Sequence, residues 1–396
     1  MRLSTNTMFE AGSARLSDLQ SALQKTQQQL SSNRRILTPS DDPVASAQAL
    51  QISQAQAVNA QYAINRQSAK DSLGQVENAL AGSDLVLQQA RTLAVTAGNV
   101  ASLTQSDRDS LANQLSDHLN QLLTYANAED GRGTYLFSGY QTPVEPFTKT
   151  PTGAQYNGDQ GNRMSQIGSG RQVAMSDPGD SVFNTIKTMV TSLGPANVGS
   201  ASVSPGAVTD ATLLTGHTYS VDITGTGNTF AVYDLHIDPT KVGVPLMTGV
   251  YPTTGPIRFD GVQVDITGPA VTGDTFIATP LNNQSVFKTM QDFVTALRTP
   301  SNTALSNSVA TVLGNIDQAF NQIQTVRSSV GSRLAEVDVL DAAGLDKDLQ
   351  YSTSLSALQD LDYAKAISEF TQQQTTLQAA QKTFLSLSDL SLFKLL

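Results

Sequence analysis

Histidines, cysteines and paired carboxylates are the side chains with which proteins most often hold metals or move protons. This sequence has three histidines, His118, His217 and His236, and no cysteine in 396 residues. No two of the histidines stand at the HExxH-type spacing that puts two imidazoles on one helical face. The absence of cysteine excludes disulfides, thiolate nucleophiles and cysteine-ligated zinc together. Asp41 and Asp42 form a carboxylate pair of the kind acid–base chemistry uses, but they stand directly before Pro43 at a helix start. Carboxylates there cap free N–H groups and complement the helix dipole. The glycine-rich strings between Gly153 and Gly170 have neither the Gly-Lys-Ser/Thr of a P-loop nor a strand–glycine–helix order, so they read as loops. The sequence therefore predicts no catalytic residue, no metal and no cofactor: it is not read as an enzyme.

Composition narrows the remaining classes. Hydrophobic residues make up 39% and charged residues 15%, which fits neither a membrane-spanning nor a charge-driven disordered chain. No apolar run approaches the ~20 residues of a transmembrane helix, so no membrane insertion is expected. The first ten residues lack the basic and apolar regions of a cleaved signal peptide. A net charge of −10 argues against a broad nucleic-acid surface, so no nucleic acid is expected as a partner.

Any function must then come from the long elements, which run helical, β-rich and helical again. Over residues 13–37, Leu16, Leu19, Leu23 and Leu30 form a narrow heptad-like stripe on a polar segment. Pro39, Ser40, Asp41, Asp42 and Pro43 break it: Pro39 stops one helix, while Asp42 as N-cap and Pro43 in the first turn start the next. That second helix is predicted over 43–97, a rod of roughly 80 Å, with a return helix over 106–127. Residues 133–139 read as a turn and a short aromatic strand. Strands are expected at 219–223, 230–237 and 257–266, and a short helix at 181–193. Helices return over 285–297, 302–349 and 353–396.

The fold class expected is α+β: an elongated antiparallel long-helix bundle formed by the N- and C-terminal regions, with a β-rich insert in the middle of the chain. The domains expected are a 1–42 assembly helix pairing with a 352–396 assembly helix, and a bundle of 43–130 with 283–351. A mixed subdomain at 131–200 and a β-rich insert at 201–282 complete the chain. For 43–127 and 285–349 the apolar stripes read as intramolecular core. For the terminal segments they exceed what one partner covers, because narrow amphipathic helices depend on packing for stability. Leu16, Leu19, Leu23, Leu30, Leu358, Phe370, Leu377, Phe384 and Leu387 are therefore the candidate assembly residues. Residues 1–40 carry a net +3 and 352–396 a net −1, a small complementarity that leaves apolar packing to carry association.

Several strings in order resemble one family. The opening Met1-Arg2-Leu3-Ser4-Thr5 and its heptad helix, followed by Pro39-Ser40-Asp41-Asp42-Pro43, resemble the N-terminal region of the flagellar hook-associated protein 3 family, in the flagellin superfamily. Residues 133–139 with Pro146-Phe147 are similar to its first β segment. Residues 261–266 and 273–276 resemble a β module of hook-associated proteins, and 327–334 and 362–366 resemble its C-terminal half. The resemblance implies a structural adaptor at the hook–filament junction, assembled as a ring of copies of itself between hook-associated protein 1 and flagellin. It also implies an extracellular place in the bacterial flagellum, export through the flagellar type III apparatus without a cleaved signal peptide, and a flagellar export chaperone acting on the C-terminal region. Within the superfamily the alternative is a filament flagellin. In a different class, the alternative is a surface binding module displayed on a helical stalk.

Overall fold

The structure, a computed structural model, describes residues 5–99, 103–195, 197–203, 206–210, 213–225, 229–251, 255–280 and 283–389. Its helices are α1 (Thr5–Ser32), α2 (Pro43–Ala97), α3 (Gln105–Ala126), α4 (Gly179–Phe183), α5 (Val286–Arg298), α6 (Asn302–Gln359) and α7 (Tyr363–Asp389). The described residues fall into two compact units, a terminal one from 1–64 with 339–396 and a central one from 65–338. The division cuts through α2 and α6, so the terminal unit extends past the expected limits of 42 and 352.

In the central unit, helices form wherever apolar side chains recur at helical spacing. Leu73, Val76, Leu80 and Leu87 of α2 pack with Leu111, Leu115, Leu119 and Leu122 of α3, with Phe287, Met290 and Phe293 of α5, and with Val312, Ile316, Ile323 and Val330 of α6 in one buried core. The helix starts are set locally. Thr104 and Asp107 form a reciprocal capping box at α3, and the Ser285 hydroxyl accepts from the Phe287 N–H at 3.1 Å to start α5. Arg327 on α6 reaches Glu77 on α2 at 2.6 Å and Asp84 at 3.2 Å.

The β material of this unit comprises β1 (Phe147–Thr150) with β2 (Gly153–Tyr156), and β3 (Met164–Gly168) with β4 (Arg171–Ala174). It continues with β5 (Met189–Leu193), β6 (Ser202–Val203), β7 (Ala207–Val208), β8 (Tyr219–Thr224), β9 (Thr229–Asp234) and β10 (Met247–Val250). The last strands are β11 (Ile257–Phe259), β12 (Val262–Val264), β13 (Ile266–Thr267) and β14 (Thr275–Pro280). A five-stranded antiparallel sheet in the order β10-β9-β8-β14-β5 dominates the insert. Its buried Tyr219, Val221, Phe230, Val232 and Phe276 join Ile257, Val262 and Val264 in a second core.

The α+β plan expected from sequence is present, with several local differences. Residues 133–139 do not form a strand. Tyr135 makes one bridge to Glu129, while Leu136 and Phe137 turn into the bundle core, and Gly131, Gly133 and Gly139 all have positive φ. Residues 257–266 are not one strand, because Asp260 and Gly261, at φ +40° and +74°, fold them into a two-residue hairpin between β11 and β12. Of the helix expected at 181–193, only α4 forms. Residues 189–193 instead pair with β14, so the insert sheet begins before residue 201. The C-terminal break lies at 360–362 rather than near 350, because nothing in 350–359 stops α6.

Candidate assembly site

The terminal unit is built from α1, the start of α2, the end of α6 and α7. α1 and α7 lie antiparallel. Phe9 and Phe384 rings stand 5.0 Å apart, the Thr26 hydroxyl donates to Gln373 Oε1 at 2.9 Å, and the Tyr363 hydroxyl donates to the Leu30 carbonyl at 3.4 Å. Gly12 lets the helices approach at that ring: a Cβ there would sit 2.9 Å from Phe384 Cδ2.

The candidate assembly residues divide by burial. Leu377 is buried, 9% exposed. Leu16, Leu19, Leu23, Leu30, Leu358, Phe370 and Phe384 are half-buried. The Leu387 side chain and Met1 to Ser4 lie outside the described residues. Leu377 is joined in burial only by Ala45, Ala49 and Ala366 among the apolar residues described in this unit. The half-buried stripe is thus covered on one side by the partner helix and open on the other.

The two chain breaks meet. α1 is followed by Asn33, whose φ of +56° is the left-handed turn that asparagine tolerates just past a helix C-terminus. Arg34 then bridges Asp360 in antiparallel fashion, the Arg35 N–H donates to the Gln359 carbonyl at 2.7 Å, and Arg35 Nη2 donates to the Leu358 carbonyl at 2.7 Å. Pro39 and Ser40 are exposed at the tip of the first turn, and Pro43 is the first residue of α2. Asp42 Oδ1 accepts from the Ala45 N–H at 3.0 Å, and its other oxygen takes Arg35 Nη1 at 3.2 Å. Asp41 Oδ2 accepts from the Leu37 and Thr38 N–H groups at 3.0 Å each, and Oδ1 meets Lys25 Nζ at 2.7 Å.

This wiring lowers both carboxyl pKa values. For Asp41 the hydrogen bond from Lys25 is the largest cause, followed by the N–H groups of Thr38 and Leu37. For Asp42 the Ala45 N–H comes first and Arg35 second. On the C-terminal side, Asp362 Oδ1 accepts from the Lys365 N–H at 3.1 Å and caps α7. Both connections are thus turns with a capped restart, tied to each other through Arg34 and Arg35.

Two features of this site escaped the sequence reading. The first is the Arg35 cross-link, whose partners are carbonyls more than 300 positions away. The second is an open apolar face on α2 and α6. Val44, Leu50, Val58 and Ile64 on α2, and Val339, Leu345 and Leu349 on α6, are exposed rather than buried in a bundle core. Their spacing carried a signal, since Leu345 and Leu349 lie one helical turn apart on α6. Among the described residues, no cluster of three or more metal-ligating side chains occurs. The structure does bring together two histidines that the sequence reading kept apart. His217 and His236 stack at 4.3 Å, with His217 Nδ1 2.7 Å from Asp234.

Similarity to known proteins follows this architecture. Residues 3–142 match the bacterial flagellin N-terminal helical region, and residues 313–396 match the bacterial flagellin C-terminal helical region. The flagellar hook-associated protein 3 of Salmonella typhimurium is 30% identical over 395 residues, spanning 100% of this chain and 99% of that protein. Its counterpart in Escherichia coli is 28% identical over the same extent. Among solved structures, flagellar hook-associated protein 3 of Legionella pneumophila is 30% identical, with a TM-score of 0.64 over 78% of this chain and 98% of that one. FlgL of Xanthomonas campestris is 27% identical, with a TM-score of 0.62 over 77% of this chain and 99% of that one. Matched end to end by a relative of 30% identity, and carrying flagellin-type helical regions at both ends, the chain belongs to the flagellar hook-associated protein 3 family, structural proteins of the flagellum and not enzymes.

Proposed function

We propose that this chain is a structural adaptor at the hook–filament junction of the bacterial flagellum. It polymerises through its terminal unit as a ring of copies, between hook-associated protein 1 on one side and flagellin on the other. Leu16, Leu19, Leu23, Leu30, Leu358, Phe370, Leu377, Phe384 and Leu387 pack against neighbouring subunits, and the Pro39–Pro43 turn sets the direction in which the terminal helices meet them. Export proceeds through the flagellar type III apparatus without a cleaved signal peptide, with a flagellar export chaperone holding the C-terminal region beforehand. The domain division follows the same logic, with terminal helices for assembly, long helices for support and the β-rich insert for display.

The observation that carries this reading is the unfinished burial of the terminal unit. Large apolar side chains stand in solvent on each of its four helical segments: Phe9 on α1, Leu50 on α2, Leu349 on α6 and Leu385 on α7. Large apolar side chains left exposed on every helix of a unit mark an interaction surface more often than a bare one. Labelling the chain in intact flagella tests the proposal. A single band at the hook–filament boundary is expected. Label along the whole filament would make the chain a flagellin instead, and no label on flagella would remove both readings.

A further inference from the structure

The four helical segments of the terminal unit form two pairs. In one, α2 and α6 are fastened to each other: Gln56 Nε2 donates to Asp348 Oδ1 at 3.0 Å, and Asn59 Nδ2 to the Gly344 carbonyl at 2.8 Å. In the other, α1 and α7 are held by the Phe9–Phe384 contact and the Thr26–Gln373 hydrogen bond. The chain passes between the pairs twice, at residues 33–42 and at 360–362. A helix that leaves a turn swings on it unless something outside the turn holds it.

One residue reaches across both passages. The Arg35 carbonyl accepts from Gln29 Nε2, in the last turns of α1, at 2.6 Å. Its N–H and its Nη2 donate to the carbonyls of Gln359 and Leu358, each at 2.7 Å. Those are the last two residues of α6, whose carbonyls find no donor in their own helix. Nη1 meets the other oxygen of Asp42, the carboxylate that caps α2, at 3.2 Å. A guanidinium is a planar fork that serves two such acceptors in different directions at once, whereas an ammonium acts as one point. The C-terminal passage starts from the same place. Arg34 bridges Asp360, and the Tyr363 hydroxyl at the head of α7 donates to the Leu30 carbonyl of α1 at 3.4 Å. The end of α1 and the beginning of α7 are thus tied to one point on the α2/α6 pair. The Arg35 side chain is 45% exposed, so its bonds add little to stability. What they fix is an angle.

We propose that Arg35 is the positioning residue of the terminal unit, holding the α1/α7 pair as one body at a set angle to the α2/α6 pair. This deepens the assembly reading above and rests on it: a neighbouring copy then meets a preset helix pair instead of two helices that settle separately.

The chain has no cysteine, so paired spin labels on the full-length protein read that angle without background. Gln20→Cys with Ser53→Cys spans α1 and α2, and Gln374→Cys with Ala343→Cys spans α7 and α6. Gln20→Cys with Gln378→Cys lies within the α1/α7 pair, and all five positions are exposed. Arg35→Gln is expected to broaden the first two distance distributions at least about twofold while leaving the third as narrow as in the parent chain. Arg35→Lys keeps the charge but serves only one of the two acceptors, so it is expected to broaden the first two as well. An α7–α6 distribution that stays narrow in Arg35→Gln would mean that the two passages act separately. A third distribution that broadens with the others would mean that Arg35 holds the pair together and does not aim it. Parent-like distributions from Arg35→Lys would reduce the fork to its charge. Each of these results overturns the inference, as would a parent chain already broad in the first two. The distances are read on the free chain and the junction location on intact flagella, so either proposal can fail without the other.

Discussion

The central and terminal units use the same long helices and bury them very differently. In the central unit, α2 presents Leu73, Val76, Leu80 and Leu87 to three other helices, and each is fully buried. In the terminal unit, the same helix presents Ala45 and Ala49 inward and leaves Val44, Leu50, Val58 and Ile64 outside. Burying a large aliphatic side chain contributes about 1.5–3 kcal/mol, several times what an alanine supplies. One stretch of α2 is therefore held by burial within the chain, and the other buries little of its apolar surface there. Helical periodicity alone does not separate them; what separates them is which side chains have a neighbour.

The largest expected effect tests the core half of that comparison. Leu73→Asp puts a carboxylate where the side chain is fully buried among helices, and should cost about 4 kcal/mol or more. Urea denaturation followed by circular dichroism should show the main transition shifted far down or lost. By contrast, Phe384→Asp, at a half-buried position of the terminal unit, should move that transition far less, while abolishing recovery of the chain in purified flagella. Leu377→Asp, at a buried position, should loosen the α1–α7 pair while leaving the central transition in place. Loss of the central transition from Phe384→Asp as complete as from Leu73→Asp would erase the distinction between the units.

A gentler probe sharpens the same contrast. Amides of α1 and α7 should exchange with solvent at least about 100-fold faster than those of residues 73–94, because a helix pair with one buried leucine opens locally at far lower cost than the core does. Hydrogen exchange read by mass spectrometry on the full chain measures this directly. Uniform protection along α2, from residue 45 to residue 94, would mean that the exposed apolar residues are not a sign of weakness.

How far the sequence announced this follows from how local each signal was. The α2 limits, 43–97, were legible because Asp42 and Pro43 begin it and Gly98-Asn99 ends it. Leu73 and Leu80 were legible as core from their spacing. The β11–β12 hairpin was misread although Asp260-Gly261 is a strong turn signal, because the apolar residues on both sides suggested one continuous strand. The helix–strand error at 189–193 is of another kind: whether Met189 to Leu193 helicates depends on β14, almost ninety positions later. The Arg34–Asp360 bridge and the Arg35 cross-link could not be read from spacing at all, since they exist only once both breaks lie side by side.

The smallest expected effect concerns those breaks, and pH reaches it without a mutation. Asp41 and Asp42 are held below the ordinary carboxylate range, Asp41 chiefly by Lys25 and Asp42 chiefly by the Ala45 N–H. Their folded pKa values lie below the unfolded ones, so the unfolded chain takes up protons first as the medium acidifies. Their contribution is therefore complete above the usual carboxylate range and is lost as pH falls through the folded values. Between about pH 7 and pH 4 the turn should hold, and it should loosen only in more acidic medium, as the lowered folded values are reached. Both groups lie near solvent, so global unfolding is a poor readout and geometry is a good one. Spin labels on Gln20→Cys and Ser53→Cys, both within the terminal unit, report the angle between α1 and the start of α2. Their distance distribution should broaden on acidification. Asp41→Asn with Asp42→Asn should already be broad at pH 7 and change little with acid, because the neutral amides keep the size but lose the ion pairs with Lys25 and Arg35. Pro39→Ala with Pro43→Ala should broaden it less, since Lys25, Arg35 and the carboxylates still hold the turn. If the proline pair matters more than the aspartates, backbone restriction rather than the charge network fixes the direction of the terminal helices.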